Sequence, residues 1–265
     1  MFHTRPVAFL LLLFGLLLLS ILLSLSLGSV EVPLGELVQV VMNRLAGTQE
    51  QSTADLVIWQ IRMPRVCLSV LVGACLALSG AMVQGLFRNP LADPSLIGVS
   101  GGAAVGAALA IVLGASFSPF AVSWNLPVFA FLGGTLVTAL VYRLGVGPMG
   151  TSVATMLLAG VAINAMTSAC ISYLATTAED VRLRNLVYWL MGSFNVASWE
   201  KVLWVAPFTL LSLLMIPKLW KGLNALLLGE SEARHLGVVV KRLRLWVILL
   251  AALAVGVSVA AVGVI

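Results

Sequence analysis

Charge is what this sequence has least of. Lys, Arg, Asp and Glu make up 9% of its 265 residues, whereas a soluble globular domain carries about a quarter. A chain that is 61% hydrophobic, with mean hydropathy +1.10, belongs in a lipid bilayer. Histidine is nearly missing too. His3 and His235 are far apart and offer no metal-ligand spacing. Cys67, Cys75 and Cys170 also lack metal spacing and read as small packing residues inside membrane spans. No G-x-x-x-x-G-K-[ST] loop occurs, so the chain does not itself hold ATP in that manner. The string GVGPMG at Gly145–Gly150 spells G-x-G-x-x-G. It follows a predicted membrane helix instead of a strand and contains Pro148, which excludes a dinucleotide fingerprint.

The charge-free runs are Val66–Phe87, Pro94–Tyr142, Leu144–Ala178, Val202–Pro217 and Leu245–Ile265. A helix crosses a roughly 30 Å hydrocarbon core with about 20 apolar residues. Most runs therefore hold one span, and the second holds two, broken at SFSPFAVSWNLP. With Ala8–Leu27 added, the sequence predicts seven membrane helices, at roughly 8–27, 66–86, 95–114, 126–142, 152–175, 202–219 and 245–265. Barrel strands are excluded, because none of the runs alternates apolar with polar residues. The apolar stretch after the basic start is longer than a secretory leader's and lacks an A-x-A-like site, so it reads as a retained first helix. The predicted fold is an all-α integral membrane protein, a polytopic helical bundle forming a single transmembrane domain over residues 1–265.

With the N-terminus in the cytoplasm, the inside segments hold nine basic residues: Arg5, Arg88, Arg143, Lys218, Lys221, Arg234, Lys241, Arg242 and Arg244. The outside segments hold six: Arg44, Arg62, Arg65, Arg182, Arg184 and Lys201. Basic residues set orientation, so this is the predicted topology. The excess of positive charge needs no nucleic acid to explain it.

The polar knot between the second and third helices, FRNPLADPSLIGVSGG, then becomes a cytoplasmic turn. Pro90 and Pro94 interrupt the helix by removing amide donors. Arg88, Asn89 and Asp93 supply polar groups there, and Asp93–Pro94–Ser95 spells a capped helix start with Pro in the first turn. Small residues recur every fourth position in helix two (Gly73, Ala77, Ala81, Gly85) and helix three (Gly102, Gly106, Ala110, Gly114), predicting close helix packing.

No predicted span holds an acid or base in its middle, where an ion-coupled carrier keeps its relay. The main polar groups within the spans are Gln84, Asn164, Thr167 and Ser168, which suit either a pathway or interhelical hydrogen bonds. The long outside segments are 28–61 and 176–201. In the second, Leu186, Tyr188, Trp189, Leu190 and Phe194 predict a short interfacial helix. The inside segment Lys218–Arg244 is too polar to span and predicts one or two short amphipathic helices turning at Gly229 and Gly237, a docking element for a cytosolic partner.

Five strings carry a resemblance: WQIRMPR, LVGACLALSGAMVQGLFRNPLADPSLIGVSGGA, MLLAGVAINA, YWLMGSF and LLLGESEARHLGV. From about Val57 onward, in order and spacing, they resemble the permease subunits of bacterial ABC importers for ferric siderophores, haem and vitamin B12. The resemblance implies a permease homodimer with about ten helices per subunit in the inner membrane. It also implies two cytosolic ABC ATPase subunits, which use the ATP, and a periplasmic substrate-binding protein; the permease binds no cofactor. By position it implies binding-protein docking by Arg62 and Arg65. Gly229, Glu230, Ala233, Arg234, Leu236 and Gly237 become the ATPase-coupling contact. Val153, Ala154 and Thr155 fall near the cytoplasmic gate of a pathway-lining helix, and Tyr188–Phe194 at the periplasmic gate. Family members continue past AVGVI for about three more helices, so the chain is expected to be truncated at its C-terminus. The rival expectations are a secondary transporter or channel without an ATPase, or an inactive truncated remnant.

Overall fold

The computed structural model describes residues 6–28, 30, 32–46, 52–113, 122–147 and 150–264. His3, Arg5, Gly114, Pro148, Ile265 and the first half of the SFSPFAVSWNLP break, which figured in the sequence analysis, lie outside the described residues. The chain is helical almost throughout. Its one pair of strands among the described residues is the two-residue hairpin of β1 (Val146–Gly147) and β2 (Gly150–Thr151). That hairpin occupies the GVGPMG string and joins two membrane helices, which is no dinucleotide-binding context.

Six described helices are long and apolar enough to cross a membrane: Val7–Ser26, Thr53–Phe87, Leu126–Gly145, Val153–Thr177, Trp199–Leu227 and Val240–Val262. The seventh expected span is shorter than predicted. Asp93 caps a 3-10 turn, Pro94–Ile97, by accepting the Ser95 N–H at 2.7 Å, and Gly98 then turns left-handed at φ 81°. The helix proper runs only over Val99–Leu113. Other boundaries also move. The second span extends backward to Thr53, so its 35 residues reach about 52 Å, well beyond the hydrocarbon. Arg62 and Arg65 consequently lie within its first half instead of before it.

By their internal contacts the residues form two compact units. The smaller comprises residues 1–70 and 197–202. It holds α1 (Pro6–Ser26), α2 (Leu34–Leu45), the turn α3 (Thr53–Leu56), a π-helical stretch at Val57–Arg62 and the start of α4 (Met63–Phe87). The predicted outside segment is thus largely helical. α2 buries Leu37 and Val40 with Leu25, Val32, Ala54, Ile58 and Val66. Arg44 reaches from α2 to Asp55 at 2.9 Å and lies 5.2 Å from the Trp59 ring centroid. Trp59 in turn stacks on Trp199, whose indole donates to the Trp59 carbonyl at 2.9 Å.

The larger unit holds the rest of α4, α5 (Val99–Leu113), α6 (Val122–Gly145), α7 (Val153–Thr177), α8 (Asp180–Leu190), most of α9 (Trp199–Leu227), α10 (Glu230–His235) and α11 (Val240–Val262). α5 packs along α6, with α7 and α11 against the pair. α11 is the central helix, burying Val247, Ile248, Leu250, Ala251, Val255 and Val259 in the main core. The two small-residue ridges behave differently. Those of α5 meet α6 backbone to backbone: a Cβ on Gly102 would collide with the Gly133 carbonyl, and one on Gly106 with the Phe129 carbonyl. On α4, a Cβ at Gly73 would meet nothing, and one at Gly85 would meet only the Leu223 side chain at ordinary contact distance. The expectation of close packing therefore holds for α5 and fails at Gly73. Of the cysteines, Cys75 is buried beside Thr209 at 3.1 Å, Cys67 is half-buried and Cys170 is exposed on the single chain, so packing accounts for Cys75 best.

The C-terminal helix was expected to run to residue 265, but α11 ends at Val262. Gly263 takes φ 87° and its N–H returns to the Val259 carbonyl at 2.8 Å.

Candidate functional site

Gly229, Glu230, Ala233, Arg234, Leu236 and Gly237 form one local element. α9 runs on through Lys218 and Lys221 to Leu227, so the predicted polar loop shrinks to α10 and its flanks. Gly229 (φ 122°) and Gly237 (φ 82°) bracket α10, conformations that a side chain would disfavour. Beyond α10 the Gly237 N–H donates to the Arg234 carbonyl and the Val238 N–H to the Ala233 carbonyl, each at 2.9 Å, which closes the helix. Ala233 is fully buried in the core that also contains Leu226, Val240 and Leu243. Leu227, Leu228, Leu236 and Val239 stay exposed around the turn.

Glu230 fixes this element to α11. One carboxylate oxygen pairs with Arg234 at 2.9 Å, one helical turn along, and the other with Arg244 at 2.7 Å. Arg244 is almost buried, with side-chain exposure 8%. Burial works to raise the carboxyl, but the hydrogen bond and charge of Arg244, joined by those of Arg234, outweigh it and hold Glu230 below its ordinary value.

α11 carries that attachment to its far end. There the Ser193 N–H donates to the Val262 carbonyl at 2.7 Å. A Cβ on Gly263 would collide with the Trp189 carbonyl and lie 3.0 Å from the Gly192 Cα. One helix, about 34 Å long at 1.5 Å per residue, therefore joins α10 to the segment after α8. α8 is a short helix where one was predicted, with Leu186 buried, Tyr188 exposed and Arg182 donating to the Val112 carbonyl at 2.6 Å. Phe194 lies beyond the helix, in a 3-10 turn.

The remaining candidates divide between two places. Val153, Ala154 and Thr155 form the first turn of α7, capped by the Ser152 hydroxyl accepting the Thr155 N–H at 3.3 Å. Higher on α7, Asn164 donates its amide to the Ser95 carbonyl at 3.1 Å, and Asn164 and Thr167 fill the space beside Gly101. Ser168 is exposed and donates to the Asn164 carbonyl at 2.9 Å. Asn164 thus bonds across helices, while Ser168 faces outward. A Cβ at Gly160 would collide with the Leu96 carbonyl, so α7 lies directly on the 3-10 turn.

That turn ends the polar knot. Arg88 adopts φ 51°, the only described non-glycine residue in the left-handed region, and the Asn89 N–H closes back on the Gln84 carbonyl at 3.1 Å. The Asn89 side chain accepts the Leu91 N–H at 2.9 Å. Pro90 blocks continuation of α4, Pro94 opens the 3-10 turn, and Leu91 projects with 87% exposure.

Arg62, expected at the binding-protein docking face, turns back towards the end of α1 in the single chain. It is 7% exposed, and its guanidinium donates to the Leu25 carbonyl at 2.5 Å, the Ser26 carbonyl at 3.0 Å and the Val30 carbonyl. It caps the end of α1. Arg65, one turn on, is half-buried, and its Nε is buried without a hydrogen-bond partner.

Sequence reasoning missed the Glu230–Arg244 pair, the Ser193–Val262 contact and the seat of Gly160. Arg244 entered only as one of nine basic residues. The signal that could have found it is an acid opening a glycine-bracketed turn just before the basic start of an apolar helix.

This fold defines a polytopic helical membrane protein of the permease class. Residues 16–265 match the FecCD transport family, and the chain belongs to that family. It is 42% identical over 213 residues to the hemin transport system permease protein HmuU of Yersinia pestis, covering 78% of this chain and 62% of that protein. It is 39% identical over 254 residues to the vitamin B12 import system permease protein BtuC of Klebsiella pneumoniae subsp. pneumoniae, covering 95% of this chain and 71% of that one. A solved inward-facing conformation of a transporter assigned to the metal-chelate ABC type superposes with TM-score 0.80 and 36% identity, over 96% of this chain and 76% of that one. The chain thus spans less than two thirds of the hemin permease's length.

Proposed function

We propose that the chain is the transmembrane permease subunit of an ATP-driven importer. Its cargo is an iron chelate (a ferric siderophore or haem) or vitamin B12, moved from periplasm to cytoplasm. Two copies form the membrane dimer, with the N-terminus of each in the cytoplasm of a bacterial cell. Two separate ABC subunits hydrolyse the ATP, and a periplasmic binding protein delivers the cargo. Family membership supports this reading, and the observation that carries it is α10. A six-residue helix bracketed by two left-handed glycines, rimmed by exposed leucines and clasped to a membrane helix through Glu230, suits a coupling element that a partner moves. Val153, Ala154, Thr155 and Ser168 on α7 are the proposed pathway and gate positions, with Asn164 and Thr167 setting the helix's seat on the 3-10 turn.

The test is co-purification from membranes with the candidate ATPase. The intact chain should retain the ATPase, and a variant lacking residues 229–237 should lose at least nine tenths of it while still inserting. Retention by both would place the contact elsewhere. Retention by neither, with uptake persisting after ATP depletion, would make the protein a secondary transporter or channel. Retention by neither with no uptake would make it a remnant.

A further inference from the structure

Within the larger unit, α9 and α11 meet where their apolar runs break off, and the contact fixes which side chains share a groove. A Cβ on Gly222 would lie 3.0 Å from the Leu243 side chain, so these two positions face one another. The helices run antiparallel, α9 ending and α11 beginning on either side of α10. At about 3.6 residues per turn, Lys218 and Lys221 of α9 and Arg242 and Trp246 of α11 then fall on one side of the seam. The opposite side is the interior. Leu223 there meets Gly85 of α4, and Arg244 is nearly buried against Glu230. The four groove residues are all exposed, Trp246 at 53%. Lys221 and Arg242 stand at the level of the contact, and Lys218 and Trp246 about 5 Å nearer the bilayer centre at 1.5 Å per residue. Further along the same side lie Leu214 and Leu249, 59% and 41% exposed.

Three cations thus gather at the rim of a lipid-facing groove. Among the described residues none of the three is in an ion pair: the described pairs are Arg44–Asp55, Arg182–Glu179, Arg234–Glu230 and Arg244–Glu230. Of the two acids between the helices, Glu230 is taken by Arg234 and Arg244, and Glu232 makes no described ion pair. A single lysine at a helix end reaches water by itself; cations converging from two helices onto one rim repel each other, and an anion relieves that repulsion. We propose that this groove binds an anionic phospholipid, its phosphate on Lys218, Lys221 and Arg242, its glycerol region against Trp246 and an acyl chain along Leu214 and Leu249. Tryptophan settles at headgroup level, and basic pockets between membrane helices take anionic headgroups. An acidic protein surface would match the cations but not the leucines, which continue about 9–12 Å past the contact into hydrocarbon at 1.5 Å per residue. The inference rests on the chain spanning a bilayer and is independent of what it transports.

Native mass spectrometry of the detergent-solubilised full chain tests it, with dioleoyl phosphatidylglycerol or dioleoyl phosphatidylcholine added. Phosphatidylglycerol should be retained at least about fivefold better, the increment expected for one basic contact. Arg242→Gln alone should lower that preference by about the same factor. The triple variant Lys218→Gln, Lys221→Gln, Arg242→Gln should bring phosphatidylglycerol down to the phosphatidylcholine level in a chain that remains monodisperse and helical. Lys241→Gln removes an equally exposed cation on the side of α11 turned away from α9, and should leave the preference unchanged. Because every position is exposed, the single variants carry the test if the triple one does not insert. Equal retention of the two lipids by the wild-type chain, an unchanged preference in Arg242→Gln, or the same loss in Lys241→Gln overturns the proposal. Displacement of the lipid by inorganic phosphate at equal concentration also overturns it, making the rim a site for free anions. Equal retention together with loss of a co-purifying ATPase from the triple variant overturns it as well, in favour of an acidic protein surface.

Discussion

Glu230→Lys is expected to weaken coupled transport severely while leaving the chain folded in the membrane. The carboxylate is the hinge of a three-member clasp, with Arg234 on its own helix and Arg244 at the base of α11. Charge reversal puts three cations together at a point where Arg244 is nearly buried and cannot move to water. α10 then loses its tie to α11, and with it the route to the Ser193–Val262 contact at the other end of that helix. In proteoliposomes holding the ATPase and the binding protein, cargo uptake per ATP hydrolysed should fall about fivefold to 150-fold, the span of coupling free energies of roughly 1–3 kcal/mol. Glu230→Gln keeps the hydrogen-bond acceptor but not the charge, so its loss should be smaller. Unchanged uptake by Glu230→Lys, with the ATPase still attached, would remove α10 from the coupling path.

The same clasp predicts an acid dependence. The Glu230 carboxyl lies below its ordinary value in the folded chain because Arg244 and Arg234 favour the charged form over the opposing effect of burial. Its stabilisation is therefore complete above the ordinary glutamate value of about 4.3 and is lost as pH falls through the lower folded value. Glu230→Gln should abolish that part of the acid sensitivity, seen as thermal midpoints against pH for the two chains.

Hydropathy made the architecture legible because lipid imposes one dominant requirement, an apolar run of bilayer length. The runs at Val66–Phe87 and Leu144–Ala178 accordingly fall where α4 and α7 are. Boundaries were less legible wherever helix continued past the apolar run. α4 extends back through Arg62 because the guanidinium finds carbonyls at the end of α1, a contact across more than thirty residues. α9 extends past Lys218 and Lys221, which tolerate helix without being apolar. The glycine pair at 229 and 237 was legible, since left-handed turns select glycine regardless of tertiary context. Arg244 was not, because a basic residue at a helix start signals orientation and buried pairing alike, and only the fold puts Glu230 beside it.

Glycine spacing is the instructive case, and it yields the second large effect. Gly73 on α4 and Gly106 on α5 belong to the same kind of four-residue ridge, yet substitution by alanine should act in opposite directions. At Gly106 the new methyl would collide with the Phe129 carbonyl, and the reciprocal fit of Gly133 against the Gly102 carbonyl leaves the α5–α6 backbones no room to slide apart locally. Backbone cannot swing aside as a side chain tip can, so Gly106→Ala should cost about 3 kcal/mol, the upper end for overpacking, and Gly106→Val more. At Gly73 nothing lies within 4 Å of the added methyl. Removing a helical glycine there should instead be worth about 0.5–1 kcal/mol in helix stability. Thermal unfolding in detergent, followed by the monodisperse fraction, separates the two. Gly106→Ala should unfold well below the wild-type chain and Gly73→Ala at or slightly above it. Equal midpoints for all three would mean that α5 and α6 do not touch backbone to backbone, and that the spacing of small residues carries no packing information in this protein.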